Sequence, residues 1–349
     1  MRRIERAAVA IVAAAGGLAA LAHFDHWATL VAFAIATLAL AGMAWIVSFS
    51  TEQVGERLGT AATGLLQATL GNLPELFVVI FALRAGERAV AQSAIVGSLF
   101  ATAMLVLGLT LLVGAAAGPG GIMRFRPNVA RDAATLLMVC AFIIVIVSFS
   151  VSSGVAAGHV KTISAVAAVL LLTVYLAWVI PYVRRDQRAS GGGGGKARLS
   201  MAVALGLLVA AGVGAGLVSD WFVDALAPAI HQLHISQAFA GLVIVAIASN
   251  AVEHVVGIVL AARRQSDLAI SVVVNSVAQI AAFLFPALVL ISLTMHTSLT
   301  FSLRPVYIGA LAATAIVIWL ITEDGEGHPY EGWALVVTYV VLAMITLYE

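Results

Sequence analysis

The chain has 349 residues, 62% of them hydrophobic and 10% charged, with a mean hydropathy of +1.08. A soluble domain carries roughly 25% charged residues, so this chain lacks the polar groups to cover a water-facing surface, and a water-soluble fold is excluded. The net charge of +1 gives no electrostatic footprint for nucleic acid, and the single cysteine, Cys140, permits neither an intrachain disulfide nor a thiolate metal cluster.

A spanning helix needs about 20 apolar residues. In chain order the apolar runs predict eleven: 7–22, 27–49, 64–83, 91–117, 131–149, 162–182, 199–218, 237–261, 268–293, 305–321 and 332–347. Arg2, Arg3 and Arg6 ahead of the first run also fit a signal peptide. We read a retained N-terminal helix within 1–26 instead, because a polytopic chain needs no separate export signal.

Between the sixth and seventh runs stands RRDQRASGGGGGKARLS, 184–200. Five consecutive glycines hold neither helix nor strand, so a flexible cytoplasmic tether is expected here. It separates two five-helix halves, 27–183 and 201–349. With the N-terminus in the cytoplasm, 14 of the 18 Lys and Arg residues fall on the cytoplasmic side, and Arg84, Arg88, Lys161 and Arg304 lie outside. A short chain without targeting extensions fits a multi-pass protein of a prokaryotic plasma membrane.

The halves repeat each other. GNLPE at 71–75 matches SNAVE at 249–253, and one shift of 178 residues pairs Asn72 with Asn250, Glu75 with Glu253, Val78 with Val256, Ala91 with Ala269 and Ser98 with Ser276. Five helices is an odd number, so the second copy must run upside down relative to the first. Inverted repeats are a signature of secondary transporters, whose substrate sites lie at the repeat interface near the bilayer midplane. The predicted fold is therefore an all-α integral membrane protein of two inverted five-helix repeats plus an N-terminal helix.

Of the 17 acidic residues, only Glu75 and Glu253 fall well inside predicted spans. A carboxylate there is costly unless paired, protonated or facing water. Two such costs at equivalent repeat positions point to function rather than helix packing. Asn72 and Asn250 precede the glutamates by three residues, on the same helix face. Ser98, Ser276 and Gln279 add side-chain oxygens from the following helices. Such hard oxygen donors suit Ca²⁺, which takes 6–8 oxygen ligands, and Mn²⁺ shares them. Gly71 with Pro74 predicts local unwinding that frees backbone carbonyls. The matching residues Ser249 and Val252 carry no equal signal for a break.

GNLPELFVVIFAL and SNAVEHVVGIVLA resemble the two signature repeats of the Ca²⁺/H⁺ antiporters, the cation/proton exchanger branch of the Ca²⁺/cation antiporter superfamily. The similarity continues through GSLFATAMLVLG at 97–108, NSVAQIAAFLFP at 275–286 and the lead-in TEQVGERLG at 51–59. The resemblance implies cation and proton binding by Glu75 and Glu253. It makes Asn72, Asn250, Ser98, Ser276 and Gln279 accessory ligands, and Gly71 and Ser249 complete the candidate set. The chain departs from the common family pattern at Ala101–Thr102, Asn275, Ser249 and Gln67, and in its basic, glycine-rich linker.

His254 is a candidate proton relay, since imidazole titrates near physiological pH; helix packing is the alternative. The cluster Glu323, Asp324, Glu326, His328 and Glu331 reads as a solvated loop. It lacks EF-hand spacing.

The expected activity is exchange of Ca²⁺ for H⁺ by alternating access, with no cofactor and no enzymatic step. The expected partners are the lipid bilayer, inorganic cations and protons, with homo-oligomerisation left open. A Na⁺ or K⁺/H⁺ antiporter of the same fold is the first alternative. A channel or an intramembrane dicarboxylate enzyme is more distant, since no further catalytic motif is present.

Overall fold

The computed structural model describes residues 3–55, 70–152, 154, 156–189 and 198–349. The helices are α1 (Arg3–Phe24), α2 (Thr29–Gly55), α3 (Leu73–Arg84), α4 (Arg88–Ala117), α5 (Asn128–Ser152), α6 (Val160–Ala189), α7 (Met201–Leu233), α8 (Gln237–Ser249), α9 (Ala251–Ala262), α10 (Ser266–Ser292), α11 (Pro305–Glu323) and α12 (Pro329–Leu347). Among the described residues, nine helices are long and apolar enough to cross a membrane. The bent pair α8–α9 makes a tenth. The protein is a multi-pass integral membrane protein.

Several expectations need correction. The run 237–261 is not one straight helix: it breaks at Asn250 and bends by 64°. Helix α7 is 33 residues long, so at 1.5 Å per residue it spans roughly 50 Å and exceeds a hydrocarbon core of about 30 Å. Its additional turns carry Asp220 and Asp224, beyond the expected end at residue 218. Helix α6 runs through Ala189, well past the expected start of the tether at residue 184, because only the glycines from Gly191 onward disfavour helix. Those glycines, Arg57, Gln67 and the start of the run 64–83 lie outside the described residues.

The loop after α4 and the loop after α11 also form a two-residue antiparallel ribbon, β1 (Met123–Arg124) with β2 (Glu326–Gly327). The acidic loop is thus partly built into structure rather than simply solvated. Glu326 pairs with Arg124 at 3.2 Å. Glu331 accepts from the His328 backbone N–H and caps α12.

The chain divides into two compact units, each drawing on both sequence halves. The first comprises Met1–Glu87, Leu176–Ile235 and Ala248–Val252. Its core packs Val12 of α1, Ile46 and Val47 of α2 and Ala211 of α7. Small residues allow close approach: a Cβ on Gly42 would lie 2.8 Å from a Val12 methyl. Arg198 ties this unit together, donating through its backbone N–H to Gln53 Oε1 (2.8 Å) and through its guanidinium to Glu5 Oε1 (2.6 Å).

The second unit comprises Arg88–Tyr175, Ser236–Ile247 and Glu253–Glu349. Helices α4 and α8 touch backbone to backbone. A Cβ on Gly97 would stand 2.4 Å from Leu242 Cα, and one on Gly241 would stand 1.9 Å from Ser93 Oγ. Gly108 and Gly332 make a similar crossing between α4 and α12. The segment between α10 and α11 is non-helical, yet Leu299 and Phe301 are fully buried. Backbone at such a place must find partners within the protein. The hydroxyls of Ser148, Ser164 and Ser292 and the amide of Gln92 supply them, to residues 299–303.

Three π-helical turns interrupt the long helices: Ala101–Val106 in α4, Ala240–Val245 in α8 and Ile280–Leu284 in α10. Shifted by 178 residues, the first falls on 279–284, almost on the third. The repeat therefore extends to a backbone irregularity, of a kind often found at functional sites.

Candidate cation-binding residues

In the first unit, α3 begins where the chain is not helical. Gly71 and Asn72 form a turn, Asn72 takes the N-cap position, and Pro74 sits in the first helical turn, where its missing N–H costs nothing. This is the break expected from Gly71 and Pro74. It carries Glu75 into the first turn, fully buried, with Asn72 only 1% exposed. The N-terminus of a helix is favourable for an anionic side chain.

The equivalent break before α9 lies at Asn250, with no glycine or proline to cause it. Its side-chain amide donates to Glu75 Oε2 at 3.0 Å and reaches Ser249 Oγ at 3.5 Å. A polar side chain held by such bonds competes with regular helix, and the π turn upstream already perturbs the ladder. Asn250 and Ser249 are both buried. The asparagine of one signature is thus bonded to the glutamate of the other.

In the second unit, Glu253 occupies the first turn of α9, partly buried, and accepts from Ser276 Oγ of α10 at 2.6 Å. A hydrogen bond of this length to a carboxylate is charge-assisted. His254, buried, places Nε2 3.3 Å from Thr102 Oγ1 of α4. Ser98 is fully buried in α4. Gln279 is half-buried at the last α-helical position before the π turn of α10. The structure joins Ser276 to Glu253, but within this unit it shows no hydrogen bond from Gln279 to Glu253.

Sequence reasoning did not pair Thr102 with His254, which the structure does. The available signal was a hydroxyl inside the apolar run after Ser98, at a position where the related family commonly has asparagine. Among the described residues, no group of three or more His, Cys, Asp or Glu could hold a metal ion. Any cation here would be bound by a mixed set of carboxylate, amide, hydroxyl and backbone oxygens, the donors that hard cations take.

The chain is similar to known membrane transporters along nearly its whole length. It is 27% identical over 344 residues to the Ca(2+)/H(+) antiporter of Aphanothece halophytica, covering 93% of this chain and 92% of that protein. It is 27% identical to the Ca(2+)/H(+) antiporter ChaA of Bacillus subtilis (strain 168), covering 96% and 97%. The solved structure of native YfkE superposes with a TM-score of 0.81 at 27% identity, over 97% of this chain and 98% of that one. The H+/Ca2+ exchanger CAX has the same fold at 16% identity, with a TM-score of 0.81 over 98% of this chain and 89% of that one. The family described as "Sodium/calcium exchanger protein" matches residues 28–181 and 203–348, one stretch in each half. The chain belongs to the sodium/calcium exchanger protein family.

Proposed function

We propose that this protein is a secondary active transporter that exchanges Ca²⁺ for H⁺, with Glu75 and Glu253 as the carboxylates that take either the cation or protons. One observation carries the reading. A fully buried carboxylate, Glu75, sits at a helix break and accepts an amide N–H from Asn250, the equivalent break in the other signature. Inside a membrane protein such a charge is retained for ion handling rather than for packing. The relatives named Ca(2+)/H(+) antiporters support Ca²⁺ as the cargo.

Ionised, the two glutamates offer two negative charges to one divalent cation. Protonated, they are neutral and release it. Asn72, Asn250, Ser98, Ser276 and Gln279 supply further oxygens, with the chain at Gly71 and Ser249 free of regular helix on its downstream side. An empty, ionised site keeps uncompensated charge, so only the loaded or protonated form changes its exposure easily. Alternating access of the two inverted repeats then couples the two flows. Exchange moves Ca²⁺ and protons across the membrane and converts no substrate into a product, so the protein is not an enzyme.

Loop contacts support an even number of spans between paired loops, and the Lys and Arg bias supports a cytoplasmic N-terminus. Arg124 pairs with Glu326, Arg126 with Asp267 and Arg198 with Glu5, all on the proposed cytoplasmic side. His23 approaches Asp224, and Arg304 pairs with Glu349, on the proposed outer side. A single miscounted span between partners would put them on opposite faces.

The test uses everted vesicles with an imposed pH gradient followed by a pH-sensitive dye. Addition of Ca²⁺ should collapse the gradient, and Glu75→Gln or Glu253→Gln should abolish the response while the protein still inserts. Collapse only with Na⁺ or K⁺ would keep the mechanism and change the cargo. Full Ca²⁺/H⁺ exchange in either variant would sink the assignment of the glutamates.

A further inference from the structure

The second unit contains a cavity with two arginines on its wall that ion exchange does not call for. Arg88 opens α4, Arg304 is the N-cap of α11, and Tyr307 lies in the first turn of α11. With Gln92, Ser93 and Ala238 they line a cavity of about 260 Å³. The buried segment before α11 forms part of the same neighbourhood. Gln92 Nε2 donates to Ser302 O at 2.6 Å, and the Arg88 guanidinium donates to Thr300 Oγ1 at 3.1 Å.

The charges of this cavity are unbalanced. The Arg304 guanidinium pairs with the Glu349 carboxylate, while Arg88 makes its hydrogen bond to a neutral hydroxyl. Among the described residues, the ion pairs give Arg304 a carboxylate and Arg88 none. Each guanidinium carries five N–H donors, so donor capacity is left over. The sequence sharpens the point: Arg88 and Arg304 are two of the only four basic residues assigned to the outer side, where Lys and Arg are disfavoured in short loops. Two of those four line one cavity. An arginine that merely snorkels to the lipid interface needs no cavity and no second guanidinium.

We propose that this cavity binds a phosphate group, either free in solution or as the headgroup of an anionic lipid. The planar guanidinium fork matches phosphate oxygens in pairs. The volume lies below the usual range for larger organic ligands, which suits a small anion. Glu349 already fills one guanidinium with a carboxylate of this chain, so it competes with the incoming anion at Arg304. The proposal does not depend on which cation the protein carries.

The experiment measures thermal unfolding of the purified full chain in two arms. The first compares inorganic phosphate with chloride at equal ionic strength. The second compares nanodiscs of phosphatidylcholine with and without phosphatidylglycerol. Phosphate or phosphatidylglycerol should raise the unfolding midpoint. A shift only with the free ion identifies a soluble anion, and a shift only with the lipid identifies a headgroup. Arg88→Gln should weaken the apparent affinity about tenfold, and Glu349→Gln should strengthen it. Arg88→Lys, which keeps the charge and loses the fork, serves if Arg88→Gln fails to fold, and it should also bind more weakly. No shift beyond chloride in either arm, or equal shifts in wild type and the Arg88 variants, would overturn the proposal.

Discussion

The side-chain amide of Asn250 donates to the carboxylate of Glu75 across 3.0 Å, although 175 residues separate them. Hydrogen bonds to charged groups contribute about 1.5–3 kcal/mol. Asn250→Ala removes this donor together with the amide oxygen proposed as a cation ligand, and should weaken the apparent Ca²⁺ affinity by about tenfold or more, read as Ca²⁺-dependent proton flux in vesicles. Asn250→Asp sets a second negative charge beside Glu75 and should lower exchange further. Wild-type exchange in both variants would remove Asn250 from the site.

Ser276 makes the corresponding contact to Glu253 at 2.6 Å. Ser276→Ala should leave the fold intact and weaken the apparent Ca²⁺ affinity by about tenfold. Ser276→Thr keeps the hydroxyl and should restore most of it. If both variants behave alike, the hydroxyl is not what matters at this position.

The contact between Thr102 and His254 tests the role of the imidazole. Thr102→Val keeps the branched shape and removes the hydroxyl 3.3 Å from Nε2. Exchange should persist in this variant with an altered pH profile, because the ring loses the group that orients it. A profile superimposable on wild type would assign His254 to packing.

Helix crossings provide a stability test. Ala at Gly97 would put a Cβ 2.4 Å from the Leu242 backbone. Gly97→Ala should cost about 1–3 kcal/mol, the usual penalty of overpacking. Gly206 in α7 has nothing within 4 Å of a built Cβ. Gly206→Ala should be neutral or stabilising by up to about 1 kcal/mol. Unfolding midpoints in detergent distinguish the two, and equal effects would refute the close crossing.

The ribbon between β1 and β2 should depend on backbone geometry more than on charge. The Arg124–Glu326 and Arg126–Asp267 pairs involve arginines that are 66% and 79% exposed. Glu326→Gln should cost less than about 1 kcal/mol. Gly325 adopts φ +78°, with a built Cβ 2.4 Å from Phe125 O, so Gly325→Ala should cost about 1–3 kcal/mol. A larger loss from Glu326→Gln than from Gly325→Ala would reverse this ranking.

The sequence by itself determined that this is a helical membrane protein with a repeated acidic motif. Apolar runs, glycine tracts and a constant shift of 178 residues are one-dimensional properties, and the bilayer turns the apolar runs directly into helices. The break at Gly71 was legible for the same reason, since glycine and proline act on their own backbone. The break at Asn250 was not, because nothing local demands it: Asn250 finds its partner on Glu75, in another helix. The hydroxyl of Thr102 against His254, the ribbon from Met123–Arg124 to Glu326–Gly327 and the two arginines on one cavity were equally invisible. Each depends on segments distant in sequence being brought together, and helix propensity and hydropathy do not record which side chains meet once helices pack.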